Sequence, residues 1–198
     1  MIDPIRAQQL RAGVHNTYSV IASAPQAEHP IPVGRAFAKA LGYPVELIDR
    51  FPLAAESFAG VSNVSIFADL PPGATVLDLG CGAGLDSLIA AERVGPNGQV
   101  IGLDFSETML ERARRAATEG GLRHADFRPG EAERIPLPDS SIDIALVNGI
   151  FNLNPAREAI FCELARVVKP DGALYSAEIV LREPLPPEER DSLTDWFA

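Results

Sequence analysis

Residues 74–84 read ATVLDLGCGAG, and this stretch decides the fold. Its first six residues form a short apolar run with β-branched side chains, which predicts a buried strand. Glycines follow at alternate positions, Gly80, Gly82 and Gly84, and they permit backbone conformations that other residues avoid. Residues 84–94 then favour a helix. The stretch therefore predicts a strand, a glycine-rich turn and a helix, which together begin an open parallel sheet.

The chain beyond this turn continues to alternate strand and helix patterns. Alternation of this kind predicts right-handed crossovers and a Rossmann-like α/β fold, with a mostly parallel sheet and helices on both faces. Further strands are predicted at 99–103, 124–128, 141–147 and 173–181. One helix is predicted from the N-cap Ser106 to Gly120-Gly121, one from the cap Asn154 with Pro155 in its first position to the stop Lys169–Gly172, and one at 188–197.

The first 70 residues are punctuated by prolines and carry few aliphatic side chains. Short helical patterns occupy 35–41, 44–50 and 51–58. Such a segment is too short to build a separate core. We therefore expect residues 1–70 to form a helical N-terminal cap, and residues 71–198 to form the Rossmann-like domain.

Composition restricts the partners of the chain. Its 198 residues carry a formal net charge of −10, with a pI near 4.7. An acidic surface repels nucleic-acid phosphates and anionic lipids, so we expect neither nucleic acid nor a membrane as a partner. Two widely separated cysteines predict neither a zinc site nor a disulfide framework, so no metal is expected. The absence of an apolar leader or a spanning apolar run favours a cytoplasmic location.

Asp104 ends the second predicted strand, twenty residues after Gly84. In folds of this kind an acidic residue at that place faces the ribose hydroxyls of a nucleoside. The nicotinamide fingerprint fails because Leu85 or Ser87 stands where it requires glycine or alanine, which disfavours an NAD(P)-dependent oxidoreductase. The Gly-Lys-Ser/Thr sequence of a phosphate-binding P-loop is also absent. The loop thus favours a nucleoside ligand without a phosphate.

Four segments resemble the motifs of class I S-adenosyl-L-methionine (SAM) dependent methyltransferases, in the family's order and spacing, over residues 71–180. VLDLGCGAGLDSLIA is similar to the first motif and IGLDFSETML to the second. RPGEAERIPLPDSSIDIALVNG resembles the segment through the fourth strand, and ELARVVKPDGALYSAEIV resembles the fifth-strand region. The resemblance implies SAM as the cofactor and methyl transfer as the activity.

The same resemblance implies a set of cofactor-binding residues. In the family, the glycine turn lies against the methionine part of SAM, the acid after the second strand holds the ribose, and the residues that follow flank the adenine. Two simpler roles stay open, because Asp78 could cap its own loop and Glu131 could be a solvated acid. No catalytic residue is assigned. The implied set is Asp78, Gly80, Cys81, Gly82, Gly84, Asp104, Phe105, Met109, Glu131, Ala132 and Asn148.

Residues 149–186 and the stretch ESFAGVSNV at 56–64 are similar to the matching parts of arsenite methyltransferases. Those enzymes need thiolates, because soft ligands suit trivalent arsenic. Gly149 stands where the family often has a cysteine, and Cys81 and Cys162 do not complete the usual set. The acidic surface and the compact helical cap favour a small-molecule acceptor for the methyl group over nucleic acid. A SAM-binding module without turnover and arsenite methylation itself remain alternatives.

Class I methyltransferases usually continue after the fifth strand with two more strands. This chain ends at Ala198, so we expect a sheet that lacks the last two strands of the family. An unpaired apolar edge is a pairing hazard. A homodimer that covers this edge is therefore a further expectation.

Overall fold

The computed structural model describes residues 4–180 and 182–183. The strands in this part form one sheet in the order β3-β2-β1-β4-β5, and every neighbouring pair is parallel. The predicted Rossmann-like α/β architecture is therefore confirmed. The strands are β1 Thr75–Leu79, β2 Gln99–Asp104, β3 Ala125–Pro129, β4 Ile142–Asn148 and β5 Val168–Ala177.

Helices cover both faces of this sheet. Successive residues of β1 point to opposite faces, so Val76 packs in one cluster while Leu77 and Leu79 pack in another. The first cluster includes residues of α3 to α7, and the second includes the buried side of α8. The helices are α1 Pro4–Ser23, α2 Arg35–Ala40, α3 Val45–Arg50, α4 Pro52–Glu56, α5 Val64–Phe67, α6 Leu85–Val94, α7 Glu107–Gly120 and α8 Arg157–Val167.

The N-terminal helices pack directly on the helices of the sheet. Both α1 and α4 contact α7, and α5 contacts α6. The three short predicted helices correspond to α2, α3 and α4, whereas the 20-residue α1 was not predicted. Its buried residues Leu10, Val14 and Ile21 follow helical spacing, so the signal was present but sparse.

The start of α8 corrects the sequence prediction. Asn154 is not the N-cap, because the helix begins at Arg157 with Ala156 in the capping position. The Oδ1 atom of Asn154 instead accepts a hydrogen bond of 2.8 Å from the backbone N–H of Ala156. Asparagine side chains often accept a hydrogen bond from the backbone two residues later, and the turn formed in this way replaces the predicted helix cap at Asn154.

The start of β5 is a second correction. Residues 169–172 do not stop the chain in a turn, because β5 already begins at Val168, directly after α8. The ladder with β4 changes register between Ile142 and Ile144, which accommodates the irregular residues. Lys169 also donates a hydrogen bond of 2.6 Å from its Nζ atom to Asp143 Oδ1 in β4. Because of these contacts, residues whose sequence is typical of a turn form part of a strand.

The remaining expectations concern the ends of the chain and its surface. The predicted helix at 188–197 lies outside the described residues. Of the helices that the structure describes, none is both long and apolar enough to cross a membrane. β5 forms one edge of the described sheet, and the homodimer expected to cover it stays a prediction.

Candidate functional site

A cavity of about 250 Å³ lies where β1, β2 and β4 end. Parallel sheets bind ligands at the carboxyl ends of their strands, so this is the expected place for a site. Ten of the eleven predicted site residues line this cavity, and Gly84 does not. The ten are Asp78, Gly80, Cys81, Gly82, Asp104, Phe105, Met109, Glu131, Ala132 and Asn148.

The glycine turn uses left-handed backbone at each of its three glycines. Gly80, Gly82 and Gly84 have φ values of 75°, 53° and 85°. A Cβ atom at Gly80 would lie 2.4 Å from Cγ2 of Ile150, and one at Gly84 would lie 2.9 Å from the ring of Phe127. Gly80 therefore allows Ile150 to pack against the turn, and Gly84 allows the start of α6 to pack beside Phe127. A Cβ atom at Gly82 would have nothing within 4 Å, so the backbone there borders open space.

Asp104 connects the turn to the end of β2. Its Oδ2 accepts the N–H of Gly82 at 2.8 Å, and its Oδ1 accepts the N–H of Ser106 at 2.8 Å. Burial raises the pKa of this carboxyl above its ordinary value, against the lowering effect of these backbone donors. A carboxylate has about four acceptor positions. The backbone donors do not use all of them, so acceptor capacity remains for a ligand.

Asp78 lies at the base of the turn and is 2% exposed. Its Oδ2 accepts a hydrogen bond of 2.5 Å from the hydroxyl of Ser87 in α6. Burial and the neighbouring charge of Asp86 raise the pKa of Asp78 to about 8. The side chain therefore supports the turn, and a cationic ligand beside it would favour its ionised form.

Asp86 is a cavity residue that the sequence interpretation missed. It lies in the first turn of α6 and is 5% exposed. An acid at the start of a helix has an ordinary explanation in the helix dipole, so its position alone did not single it out. Its Oδ2 accepts a hydrogen bond of 2.8 Å from Nδ2 of Asn148, and this contact depends on the fold.

Helix α1 closes one side of the cavity with residues that were not in the predicted set. Arg11, Val14, His15 and Tyr18 line it. The ring of His15 lies 5.2 Å from that of Phe105, centroid to centroid. Burial, Asp104 and Glu178 raise the pKa of Tyr18 to about 12, so the hydroxyl stays protonated at neutral pH.

The loop after β4 closes another side. Ile150 and Leu153 line the cavity. Glu178, just beyond β5, holds this loop by accepting the N–H groups of Ile150 and Phe151 at 3.0 Å through its Oε1. Its Oε2 accepts the N–H of Asn152 at 3.3 Å. The loop is therefore fixed by the neighbouring strand end and not by its own residues alone.

The cysteines do not meet in the cavity. Cys81 is buried in its wall, whereas Cys162 is exposed on α8 and does not line it. Burial raises the pKa of the Cys81 thiol well above its ordinary value, so the thiolate is disfavoured. Across residues 4–180 and 182–183, no group of three or more His, Cys, Asp or Glu side chains could hold a metal ion.

Comparison with known proteins identifies the family. The family described as a methyltransferase domain matches residues 70–198. The chain belongs to this methyltransferase family. An arsenite methyltransferase of Halobacterium salinarum is 35% identical over 161 residues, which is 80% of this chain and 41% of that protein. A demethylmenaquinone methyltransferase of Listeria monocytogenes is 41% identical over 103 residues, or 52% of this chain and 43% of that protein.

A solved structure also resembles the methyltransferase domain. It is an arsenic (III) S-adenosylmethionine methyltransferase from Chlamydomonas reinhardtii, with a TM-score of 0.62 and 31% identity, covering 80% of this chain and 53% of that one. The resemblance to SAM-dependent methyltransferases, arsenite methyltransferases among them, is therefore confirmed. The chain spans less than half the length of both curated relatives.

Proposed function

We propose that this methyltransferase domain binds SAM in the cavity above β1 and β2 and transfers its methyl group to a small-molecule acceptor. The observation that carries the proposal is the contact between Asp104 and the glycine turn, at 2.8 Å from Oδ2 to the N–H of Gly82. This contact supports the proposal, because a carboxylate that could accept from a ribose diol and the open backbone of the turn line one cavity.

The residues of the cavity suit a nucleoside with an attached amino acid. The open glycine backbone and Asp104 provide polar contacts, while Met109 is 1% exposed and offers an apolar surface for a flat ring. Ser57 lines the cavity, and its hydroxyl oxygen is buried and has no hydrogen-bond partner among the described residues. Buried polar atoms are nearly always hydrogen-bonded, so a polar ligand atom near Ser57 would complete the site.

The protein's part in the reaction is to position and to exclude water. When bound, SAM supplies an electrophilic methyl group on its sulfonium. Asp104 would hold the ribose, and the glycine turn would orient the methionine part. Helix α1 and the loop at Ile150 would close the cavity around the acceptor and reduce its access to water.

We also propose that the protein is located in the cytoplasm. The two cysteines are free, which fits a reducing compartment.

Calorimetric titration of the full chain with SAM and with S-adenosylhomocysteine tests the cofactor. We expect saturable binding by the wild-type protein and binding at least about tenfold weaker in Asp104→Ala, because a hydrogen bond to a charged group contributes about 1.5–3 kcal/mol. Asp126→Ala is the matched control, since Asp126 is an exposed acid paired with Arg128 at the edge of the sheet. Equal binding by all three folded proteins would refute the assigned site.

Arsenite is a second candidate acceptor, and the extent of one alignment favours it. The arsenite methyltransferase aligns over 161 residues, which is more than the 70–198 stretch holds, so the similarity extends into the part of the chain before residue 70, which also contributes to the cavity wall. Against it, Cys81 is the one cysteine in the cavity wall, and a single buried thiol is a poor site for trivalent arsenic.

An acceptor screen separates these candidates. The full chain would be incubated with SAM labelled on its methyl group, with arsenite plus a free thiol, and in parallel with small hydroxyl, amine and thiol acceptors. Methylated arsenic as the main product would establish arsenite as the acceptor. Saturable SAM binding without transfer to any acceptor would instead favour a binding module without turnover.

A further inference from the structure

Residues 57–65, named here the wall segment, run from the end of α4 into the first turn of α5 and form part of the cavity wall. Ser57, Phe58, Ala59 and Gly60 line the cavity, and the backbone beyond them turns away into α5. The backbone N–H of Gly34 donates a hydrogen bond of 2.8 Å to the carbonyl oxygen of Phe58 near the start of the segment. Side chains from three other parts of the fold hold the rest.

Asn148, the last residue of β4, holds the middle of the wall segment. Its Oδ1 accepts the N–H groups of Val61 at 2.8 Å and Ser62 at 3.1 Å. Its Nδ2 donates to the carbonyl oxygen of Ser62 at 2.7 Å. Gly60 packs on the same amide so closely that a Cβ atom there would lie 2.6 Å from Nδ2. The position of the segment therefore follows the position of Asn148.

Asp86 and Tyr43 complete the attachment. Asp86 Oδ1 accepts the N–H of Ser65 at 3.0 Å and the hydroxyl of Tyr43 at 2.7 Å, while its Oδ2 accepts Nδ2 of Asn148 at 2.8 Å. The Tyr43 hydroxyl also lies 3.0 Å from the carbonyl oxygen of Ser62. Asp86 and Tyr43 are 5% and 2% exposed. Buried hydrogen bonds that form a connected network are stronger than isolated ones at a surface, so this network supports the segment firmly.

We propose that Tyr43, Asp86 and Asn148 form a clamp that positions the wall segment, and that this clamp sets the affinity of the cavity for its ligand. Asp86 and Asn148 line the cavity, but Tyr43 does not. Tyr43 is therefore a positioning residue, whose effect on a ligand reaches it through the wall segment. The identity of the ligand rests on the proposed function, whereas the positioning of the segment does not.

Tyr43→Phe separates positioning from direct contact, because it removes a hydroxyl that lies outside the cavity. The ring would keep its packing on Phe58, whose centroid lies 5.0 Å away. Tyr175→Phe is the matched control. The Tyr175 ring contacts Phe67 near the sheet edge, and its hydroxyl makes no hydrogen bond in the part of the chain that the structure describes.

Two measurements on the full chain test the clamp. The first is calorimetric titration with S-adenosylhomocysteine, and the second is hydrogen exchange of the backbone amides without ligand. We expect Tyr43→Phe to bind about tenfold more weakly than wild type and to exchange faster at Val61 and Ser62. Tyr175→Phe should change neither. Unchanged affinity in Tyr43→Phe, with or without faster exchange, would overturn the proposal.

A reversed pair provides a test that does not depend on Tyr43→Phe folding well. Asp86→Asn alone sets the new amide NH2 against either the N–H of Ser65 or Nδ2 of Asn148, and Asn148→Asp alone sets two carboxylates against each other. The double variant D86N/N148D restores one donor and one acceptor across this contact. Binding by the double variant that is tighter than by either single variant would support the clamp. Additive losses in the double variant would contradict it.

The experiments can contradict the proposed clamp and the proposed cofactor independently of each other. If the wild-type chain binds neither SAM nor S-adenosylhomocysteine, the proposed function fails by itself. Hydrogen exchange then decides the clamp alone. Faster exchange confined to the wall segment in Tyr43→Phe would support it, and unchanged exchange there would overturn it.

Discussion

Asp78 should make the stability of the domain depend on pH over a range where ordinary aspartates do not titrate. Burial and Asp86 raise its pKa from 3.8 to about 8 in the folded protein. Between these two values the folded state keeps a proton that the unfolded state has lost. The stability associated with this proton is complete below the ordinary pKa and is lost as the pH rises through the folded pKa.

The size of this pH dependence follows from the single proton that the folded and unfolded states bind differently. The free energy of unfolding should fall by up to about 1.4 kcal/mol for each pH unit within this window, as far as Asp78 alone contributes. Asp78→Asn keeps the shape and an acceptor for the Ser87 hydroxyl, but it has no proton to lose. The free energy of unfolding of the variant should therefore rise relative to that of the wild type as the pH increases from about 5, and the difference between them should level off above about 8.

Urea unfolding of both proteins at intervals from about pH 5 to about pH 9 measures this difference. Asp143→Asn is a control of opposite sign, because the Lys169 ammonium and the N–H of Thr75 lower the pKa of Asp143. The ionised Asp143 carboxylate stabilises the fold above its ordinary pKa, and this stabilisation is lost only in stronger acid. The difference in the free energy of unfolding between Asp143→Asn and wild type should therefore be the same across the measured pH range. A difference between Asp78→Asn and wild type that is also constant with pH would refute the reasoning.

Three further predictions concern the glycine turn, a helix cap and the thiols. Gly80→Ala should destabilise the fold by about 1–2 kcal/mol in urea unfolding, because a left-handed alanine is strained and its Cβ would lie 2.4 Å from Ile150. Ser106→Ala should cost about 1 kcal/mol in the same assay, since the hydroxyl accepts an N–H in the first turn of α7. A thiol reagent should modify Cys162 rapidly in the native protein and Cys81 only after unfolding, because the first is exposed and the second is buried; rapid loss of both thiols would contradict the burial of Cys81.

The features predicted correctly from the sequence depend on neighbouring residues. Gly80 and Gly82 were recognised because a left-handed backbone after a strand requires glycine, and Ser106 was recognised because an N-cap needs a short polar side chain. Asp104 follows from its place at the end of β2. In each case the physical requirement is local, so the residue type itself carries the information.

The features that were missed depend on contacts between distant parts of the chain. Asp86 reads as an ordinary first-turn acid, and its role depends on Tyr43, Ser65 and Asn148, which the fold alone brings to it. The start of β5 was misplaced for the same reason, because residues 169–172 have turn chemistry and only pairing with β4 makes them part of a strand. Local preference was overridden in both cases by tertiary contacts.

The division of the cavity wall bears on how acceptors are distinguished in this family. The family similarity begins at residue 70, and the glycine turn, Asp104 and Met109 all lie after it. Much of the remaining wall comes from earlier residues, namely one face of α1 and the wall segment. If SAM binds as proposed, the glycine turn and Asp104 that would hold it lie in the matched part of the chain, while α1 and the wall segment lie before it. Exchanging residues 1–69 between relatives should therefore change the acceptor in the methyl-transfer screen and, through the wall segment, also the affinity for S-adenosylhomocysteine; a chimera that changes neither would contradict this reasoning.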